Sequence, residues 1–305
     1  MSSEPGVVKR IRVSAFGRSD RGQVRATNQD SLLLADLSTG APEPHSAVED
    51  SGAVTVGPVE FVLGEAGAIL MVADGMGGRQ GGARASATAV AAVTETMSGG
   101  ASATGDDDAF ASRLDEALTQ ANGAIHAEGT REDQYRGMGT TATLAGLRGG
   151  VVYVAQVGDS RAYLARKGEI GRLTRDQSLV QEMVDMGILS EEDAKKAPSN
   201  QILQAVGVAP TVTPAVTYHE LRRGDILLLC SDGLSGVVSD REVQAAIAAA
   251  PDCATLCDDL VDLANARGGP DNITVLVARI DGDGVEEAGE GDVVERQPYT
   301  PSRLG

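Results

Sequence analysis

Two hydrophobic periods run through this chain, and they change over at identifiable places. Residues 11–17 alternate apolar and polar, the two-residue period of a half-buried strand. A turn at 19–22 and a polar connection then lead to a second strand at 31–35. Residues 36–67 are rich in Gly, Pro and acids and hold one strand pattern, at 59–63, so they predict a long hairpin excursion from the core. An apolar run at 69–73 follows. It ends on Asp74 and a glycine-rich stretch containing Gly75, Gly77, Gly78, Gly81 and Gly82. The period then changes to that of a helix. Residues 84–97 place Val90, Val93 and Met97 on one face, and residues 107–128 do the same with Phe110, Leu114, Ala117, Ala121 and Ile125. A Gly/Ser/Ala linker at 98–106 separates the two helices.

Alternation returns at 139–145, 151–157 and 161–165. Turns at Gly149-Gly150 and Gly158-Asp159-Ser160 predict an antiparallel meander. Residues 174–207 leave it as a small helical excursion, helical at 178–186, capped again at Ser190 with Asp193, and broken at Pro198. The apolar strand 225–230 ends in Ser231-Asp232-Gly233, repeating the design of 69–75. Ser239 and Glu242 form a capping box. The helix behind it buries Val243, Ala246, Ile247 and Ala250. A further helix at 253–267 turns Leu256, Leu260 and Leu263 inward. After a turn at 268–272, residues 273–280 are the last strand. Residues 1–10 are an N-terminal extension. Residues 281–305 are acidic, unpatterned and expected to be a disordered tail.

Composition narrows the classes of function. With 305 residues, 42% of them hydrophobic, the chain can bury a core as one large domain or two small ones. The net charge of −18 disfavours nucleic acid and anionic membranes. No apolar stretch reaches membrane-span length, and the N-terminus does not read as a signal peptide. Cys230, Cys253 and Cys257 are too few for a disulfide framework and read as reduced core residues, so a cytoplasmic, monomeric protein is expected. None of them is followed six positions later by Arg, which excludes a cysteine-based phosphatase loop. The three histidines, His45, His126 and His219, have no zinc spacing.

The glycines after Asp74 form neither a P-loop, since no Gly-Lys-Ser/Thr follows, nor a dinucleotide fingerprint. Asp281-Gly-Asp283-Gly opens like a calcium loop, but Glu286 holds the position that needs glycine. The chemistry rests on acids. Asp74, Asp232 and Asp271 stand at strand boundaries beside Gly or Asn, and Asp159 occupies an equivalent turn. Converging carboxylates repel unless cations neutralise them, and all-oxygen ligands select magnesium or manganese. Two such ions can activate a water for attack on phosphorus. Arg25, in the connection between two strands, could clamp the phosphate. The expected reaction is metal-assisted phosphate ester hydrolysis.

Six segments now carry a resemblance. They are Asp20-Arg-Gly with Arg25-Ala-Thr-Asn28-Gln29-Asp30, Val72-Ala-Asp74-Gly75-Met-Gly77-Gly78, Gly137-Met-Gly139-Thr140-Thr141, Val157-Gly158-Asp159-Ser160-Arg161, Ser231-Asp232-Gly233-Leu234, and Pro270-Asp271-Asn272-Ile273-Thr274. In that order they resemble the metal-dependent Ser/Thr protein phosphatases, the PPM or type 2C family, in its bacterial form, over residues 11–280. The resemblance implies an α+β fold: a four-layer α-β-β-α sandwich of two antiparallel sheets, flanked by helix pairs, with 174–207 as a flap. The two helix pairs read above agree with it.

It further implies two core Mn2+ or Mg2+ ions, bridged by Asp74 and held by Asp232, Asp271 and the Gly75 carbonyl. A third ion would sit on Asp159. Arg25 would bind substrate phosphate, and Asp30 and Asn272 would support the site from behind. Phosphorylated proteins, Ser/Thr kinases and their targets among them, are the implied partners. The chain departs from the pattern where Gln29 replaces a common Glu and Met76 a His proposed as general acid. Gln177 and Ala197 stand where His is frequent. The alternatives are a catalytically weak phosphoprotein-binding regulatory module and a hydrolase of small phosphate esters.

Overall fold

The computed structural model describes residues 9–39, 43–45, 53–99, 106–194 and 201–300. Alternating residues form the strands β1 (Ile11–Asp20), β2 (Asp30–Asp36), β3 (Glu43–His45), β4 (Ala53–Val62) and β5 (Ala68–Met76). Two long helices follow, α1 (Gly78–Ser98) and α2 (Asp107–Arg131). Then come β6 (Gly139–Thr140), β7 (Ala142–Arg148), β8 (Val151–Val157), β9 (Arg161–Arg166) and β10 (Glu169–Arg172). The short helices α3 (Leu179–Asp185) and α4 (Glu191–Ala194) precede β11 (Ala215–Glu220) and β12 (Ile226–Cys230). Last are α5 (Asp232–Ser235), α6 (Asp240–Ala249), α7 (Cys253–Ala266), β13 (Ile273–Gly282) and β14 (Gln297–Pro298).

One sheet has the order β10-β9-β12-β13-β1-β4, the other β14-β11-β8-β7-β5-β2-β3 with β6 alongside β5, and every pairing within them is antiparallel. Leu32, Leu70, Val154, Leu164, Leu229 and Leu276 fill the space between the sheets. Outside the second sheet, α1 and α2 bury Val93, Met97, Leu114 and Ile125 against it. Outside the first, α6 and α7 bury Val243, Ile247, Leu256 and Leu260. The four layers are those expected. Among the described residues no helix is long and apolar enough to cross a membrane.

Five local expectations change. The described residues of 36–67 hold two strands rather than one: β3 pairs with β2, and β4, starting six residues before the expected 59–63, pairs with β1, while 40–42 and 46–52 lie outside the described residues. As an edge strand β4 buries only Val56, so its period is faint. The meander breaks at Gly158-Asp159-Ser160, because β8 lies in one sheet and β9 pairs with β12 in the other. Helix α1 starts at Gly78, six residues early, since Gly81 and Gly82 join its first turns despite their poor propensity. The expected disordered tail is a correction as well for residues 281–300, while 301–305 lie outside the described residues. Val285 is buried in the inter-sheet core, β14 pairs with β11, and Tyr299 packs edge-on against Tyr153 and Tyr218 at 5.4 and 5.6 Å. A few scattered anchors leave no period to read. Within α7, Leu263 is only half-buried, and Val261 packs inward.

Candidate metal centre

Strand direction brings the acids to one pole. β2 starts where β1 has ended, and antiparallel β5 returns to place Asp74 opposite Asp30. β13 begins beside the end of β1, with Ile273 opposite Asp20, and β12 ends beside the start of β13. Asp232 and Asp271 therefore flank the same pole. The crossing from β8 to β9 sets Asp159 there too.

Backbone geometry at the pole needs glycine in two places. A Cβ on Gly75 would stand 2.1 Å from the Gly82 carbonyl oxygen and 2.6 Å from that of Gln29. One on Gly233 would stand 1.9 Å from the Asn272 oxygen. Asp74 is pinned through its backbone: its N–H donates to Thr141 Oγ1 at 3.0 Å, and its carbonyl accepts from Thr141 N at 2.8 Å and Thr140 Oγ1 at 2.9 Å. Asp30 Oδ2 accepts from Ser231 Oγ at 2.8 Å and Thr274 Oγ1 at 2.6 Å. Asn272 Oδ1 accepts from Gln29 N–H at 2.8 Å, and Asn272 Nδ2 donates to the Arg21 and Thr27 carbonyls at 2.8 and 3.0 Å. It thereby laces the loop carrying Arg25 to the turn carrying Asp271. The hydroxyl set of Thr140, Thr141, Ser231 and Thr274 is not among the residues expected at the site; Ser231 and Thr274 carry a signal, a hydroxyl within three residues of an acid, and Thr140 and Thr141 carry none.

Electrostatics tie the group together. Burial, then repulsion from Asp30 and Asp232, pushes the Asp74 carboxyl well up. Burial raises Asp232 too, with Asp271 adding to it. Asp30 and Asp159 are each pushed up to about 7, by burial first and by nearby Asp232 second among the raising causes. Arg25 donates from Nη2 to Asp271 Oδ2 at 2.6 Å, and this bond raises its own pKa. Its guanidinium also feels Asp74 and Asp232. Every acid predicted for the site thus lies within one field, with the predicted arginine at its rim.

The acids form a cluster rather than a closed cage. Among the described residues no three His, Cys, Asp or Glu side chains are placed to hold an ion in common, and Asp271 is engaged by Arg25. The donor set nonetheless fits hard divalent ions: the side chains are all carboxylates, and Asp30 Oδ1 and Asp232 Oδ1 are buried without a hydrogen-bond partner. Gln29 adds no charge; its Nε2 donates to the Gly78 carbonyl at 3.0 Å. Gln177 brackets the flap to the Asp159 turn, accepting from Gly158 N–H at 2.8 Å and donating its own N–H to the Gly158 carbonyl at 3.0 Å. Ala197 lies outside the described residues.

Comparison with known proteins gives one pattern. Residues 56–274 match the family model of protein phosphatase 2C. The serine/threonine protein phosphatase PstP of Mycobacterium tuberculosis is 36% identical over 268 residues, which are 86% of this chain and 44% of that protein. The chain therefore spans less than half the length of that relative. The serine/threonine phosphatase stp of Listeria monocytogenes is 32% identical over 265 residues, 87% of this chain and 94% of that one. Among solved structures, the catalytic domain of PstP in complex with two manganese ions is 35% identical with a TM-score of 0.70, covering 89% of this chain and 99% of that one. The S. agalactiae serine/threonine phosphatase gives 31% and 0.72, covering 88% and 98%.

Proposed function

The chain belongs to the protein phosphatase 2C family, and on that premise we propose that it is a metal-dependent phosphatase of phosphoserine and phosphothreonine in proteins. The observation that carries the reading is the acidic pole: Asp30, Asp74, Asp159 and Asp232 all have raised carboxyl pKa values, and two of their oxygens are buried without partners. Such a group is costly unless divalent cations neutralise it. The manganese ions of the PstP structure support the same ions, or magnesium, for this chain.

Asp74, Asp232, Asp271 and the Gly75 carbonyl would hold two ions, and Asp159 a third. When bound, such ions acidify a water for in-line attack on phosphorus and screen the phosphoryl charge. The chain's own residues do the rest. Thr140 and Thr141 fix the Asp74 backbone, so its carboxylate is presented without reorganisation. Ser231 and Thr274 keep one Asp30 oxygen occupied and leave the other facing the cluster. Arg25, its side chain 54% exposed at the rim and bonded to Asp271, would offer its remaining N–H groups to phosphoryl oxygens. Met76 has no proton to give, so the leaving alkoxide would take its proton from water or from another group.

Cytoplasmic Ser/Thr kinases and their targets are the partners that fit this activity, with the chain acting as a monomer. The test is hydrolysis of a phosphothreonine peptide with manganese, with magnesium and with chelator. Turnover with metal that disappears in chelator supports the reading. A folded protein that binds the peptide but shows no turnover with any metal overturns it in favour of a phosphoprotein-binding module.

A further inference from the structure

At the pole opposite the acids a cleft of about 510 Å3 is lined by Arg10, Arg12, Arg223, Val62, Asp281 and Asp283. Arg12 and Asp20 are eight residues apart on β1, about 25 Å at the strand rise, so the cleft is remote from the metal centre. Register explains its make-up. Arg12 sits directly opposite Asp281 of β13 and Val62 of β4, and directly opposed residues of an antiparallel pair share a face. Val13 points the other way, into the inter-sheet core.

Each of the two carboxylates gives one oxygen to the backbone. Asp283 Oδ1 accepts the Arg10 N–H at 2.7 Å, and Asp281 Oδ1 accepts the Gly282 N–H at 2.6 Å. Arg223 donates from Nε to the Gly282 carbonyl at 2.9 Å and reaches Glu287 at 3.1 Å, a carboxylate 79% exposed and easily exchanged. Among the described residues the Arg10 and Arg12 guanidinium groups have no hydrogen-bonded or ion-paired partner. A chain with 44 acids against 26 bases offers abundant partners for stray arginines. Three arginines around one cleft, two of them unpaired, point to an anion from outside. Guanidinium forks match the geometry of a phosphoryl group, and the volume holds that group with its flanking residues.

We propose that this cleft is a second, non-hydrolysing site that binds the phosphoryl group of a phosphorylated protein segment. Together with the metal centre it would let the chain hold a doubly phosphorylated partner by one phosphate while the other is removed. That use rests on the phosphatase reading; the binding itself does not.

The test uses the full chain carrying Arg25→Ala, in chelator, with a fluorescein-labelled phosphothreonine peptide followed by anisotropy. Saturable binding is expected, displaced by inorganic phosphate and weakened at least tenfold by Arg12→Gln with Arg223→Gln. Arg12→Lys, which keeps the charge and loses the fork, should fall in between. A peptide with Glu in place of phosphothreonine should bind at least tenfold more weakly. Absence of binding, equal binding by the double variant, or equal binding of the Glu peptide would each overturn the proposal. The phosphatase reading is checked apart from this: the double variant in the otherwise unaltered chain should hydrolyse a short singly phosphorylated peptide with manganese at the unaltered rate. Loss of turnover in the unaltered chain would speak against the phosphatase, not the cleft.

Discussion

Replacing Asp30 by Asn removes one charge from the acidic pole while keeping its shape. The retained Oδ oxygen still accepts from Ser231 and Thr274, and an amide takes the place of the unpartnered oxygen. Burial raises Asp30 from 3.8 to about 7. A raised carboxyl contributes stability that is complete below the unfolded value and lost as pH climbs through the folded one. Three pKa units correspond to roughly 4 kcal/mol. Relaxation of Asp74 and Asp232, which share the repulsion, brings the expectation to about 2–4 kcal/mol. In chelator the parent chain should therefore weaken between about pH 4 and pH 8, with Asp30 supplying that part of the slope. The Asn variant should lack it. At pH 8 it should exceed the parent by ~2–4 kcal/mol in urea unfolding, or about 4–8 °C in Tm, and match it within ~1 kcal/mol near pH 4. Saturating manganese should shrink the pH 8 advantage. A variant no more stable than the parent at pH 8 in chelator would refute the reasoning.

Asp74→Asn should abolish manganese-dependent hydrolysis and leave the circular dichroism spectrum unchanged. Arg25→Ala should raise KM for a phosphopeptide roughly tenfold, a loss typical of one charge-assisted grip, with manganese affinity by calorimetry nearly constant. Asp225→Ala strands the Arg166 guanidinium, 4% exposed and bonded to Asp225 at 2.9 and 2.7 Å, and should cost about 3–5 kcal/mol in chemical unfolding. Tyr299→Ala removes two aromatic contacts that hold the C-terminal segment and should cost roughly 1–3 kcal/mol, with faster amide exchange in β11 as its local mark.

Periodic, deeply buried elements were the legible ones. Strand β12, Ile226–Cys230, is apolar throughout because it is buried in the middle of its sheet, and the Ser239–Glu242 box stands before α6 as read. Asp74, Asp232 and Asp271 were legible because each stands at the end of such an apolar run or one residue from it. Topology was harder. A Gly-Asp-Ser turn looks the same whether the chain folds back in one sheet or crosses to the other, so the placement of β9 had no local signal. The start of α1 was hidden by glycines that the site requires for close approach to Gly75. The hydroxyl shell of Asp30 joins residues more than two hundred positions apart, which no spacing argument connects.

The outer strands of the two sheets limit how a partner can be read. Among the described residues these edges are β10 of four residues, β4 interrupted at Gly57-Pro58, β3 of three residues including Pro44, and β14 of two including Pro298. Proline and brevity deprive an incoming chain of the ladder it would need. The described edges thus offer an extended phosphorylated segment little ladder to annex as one more strand. On the proposed function, recognition would fall instead to individual side chains gripping phosphoryl groups.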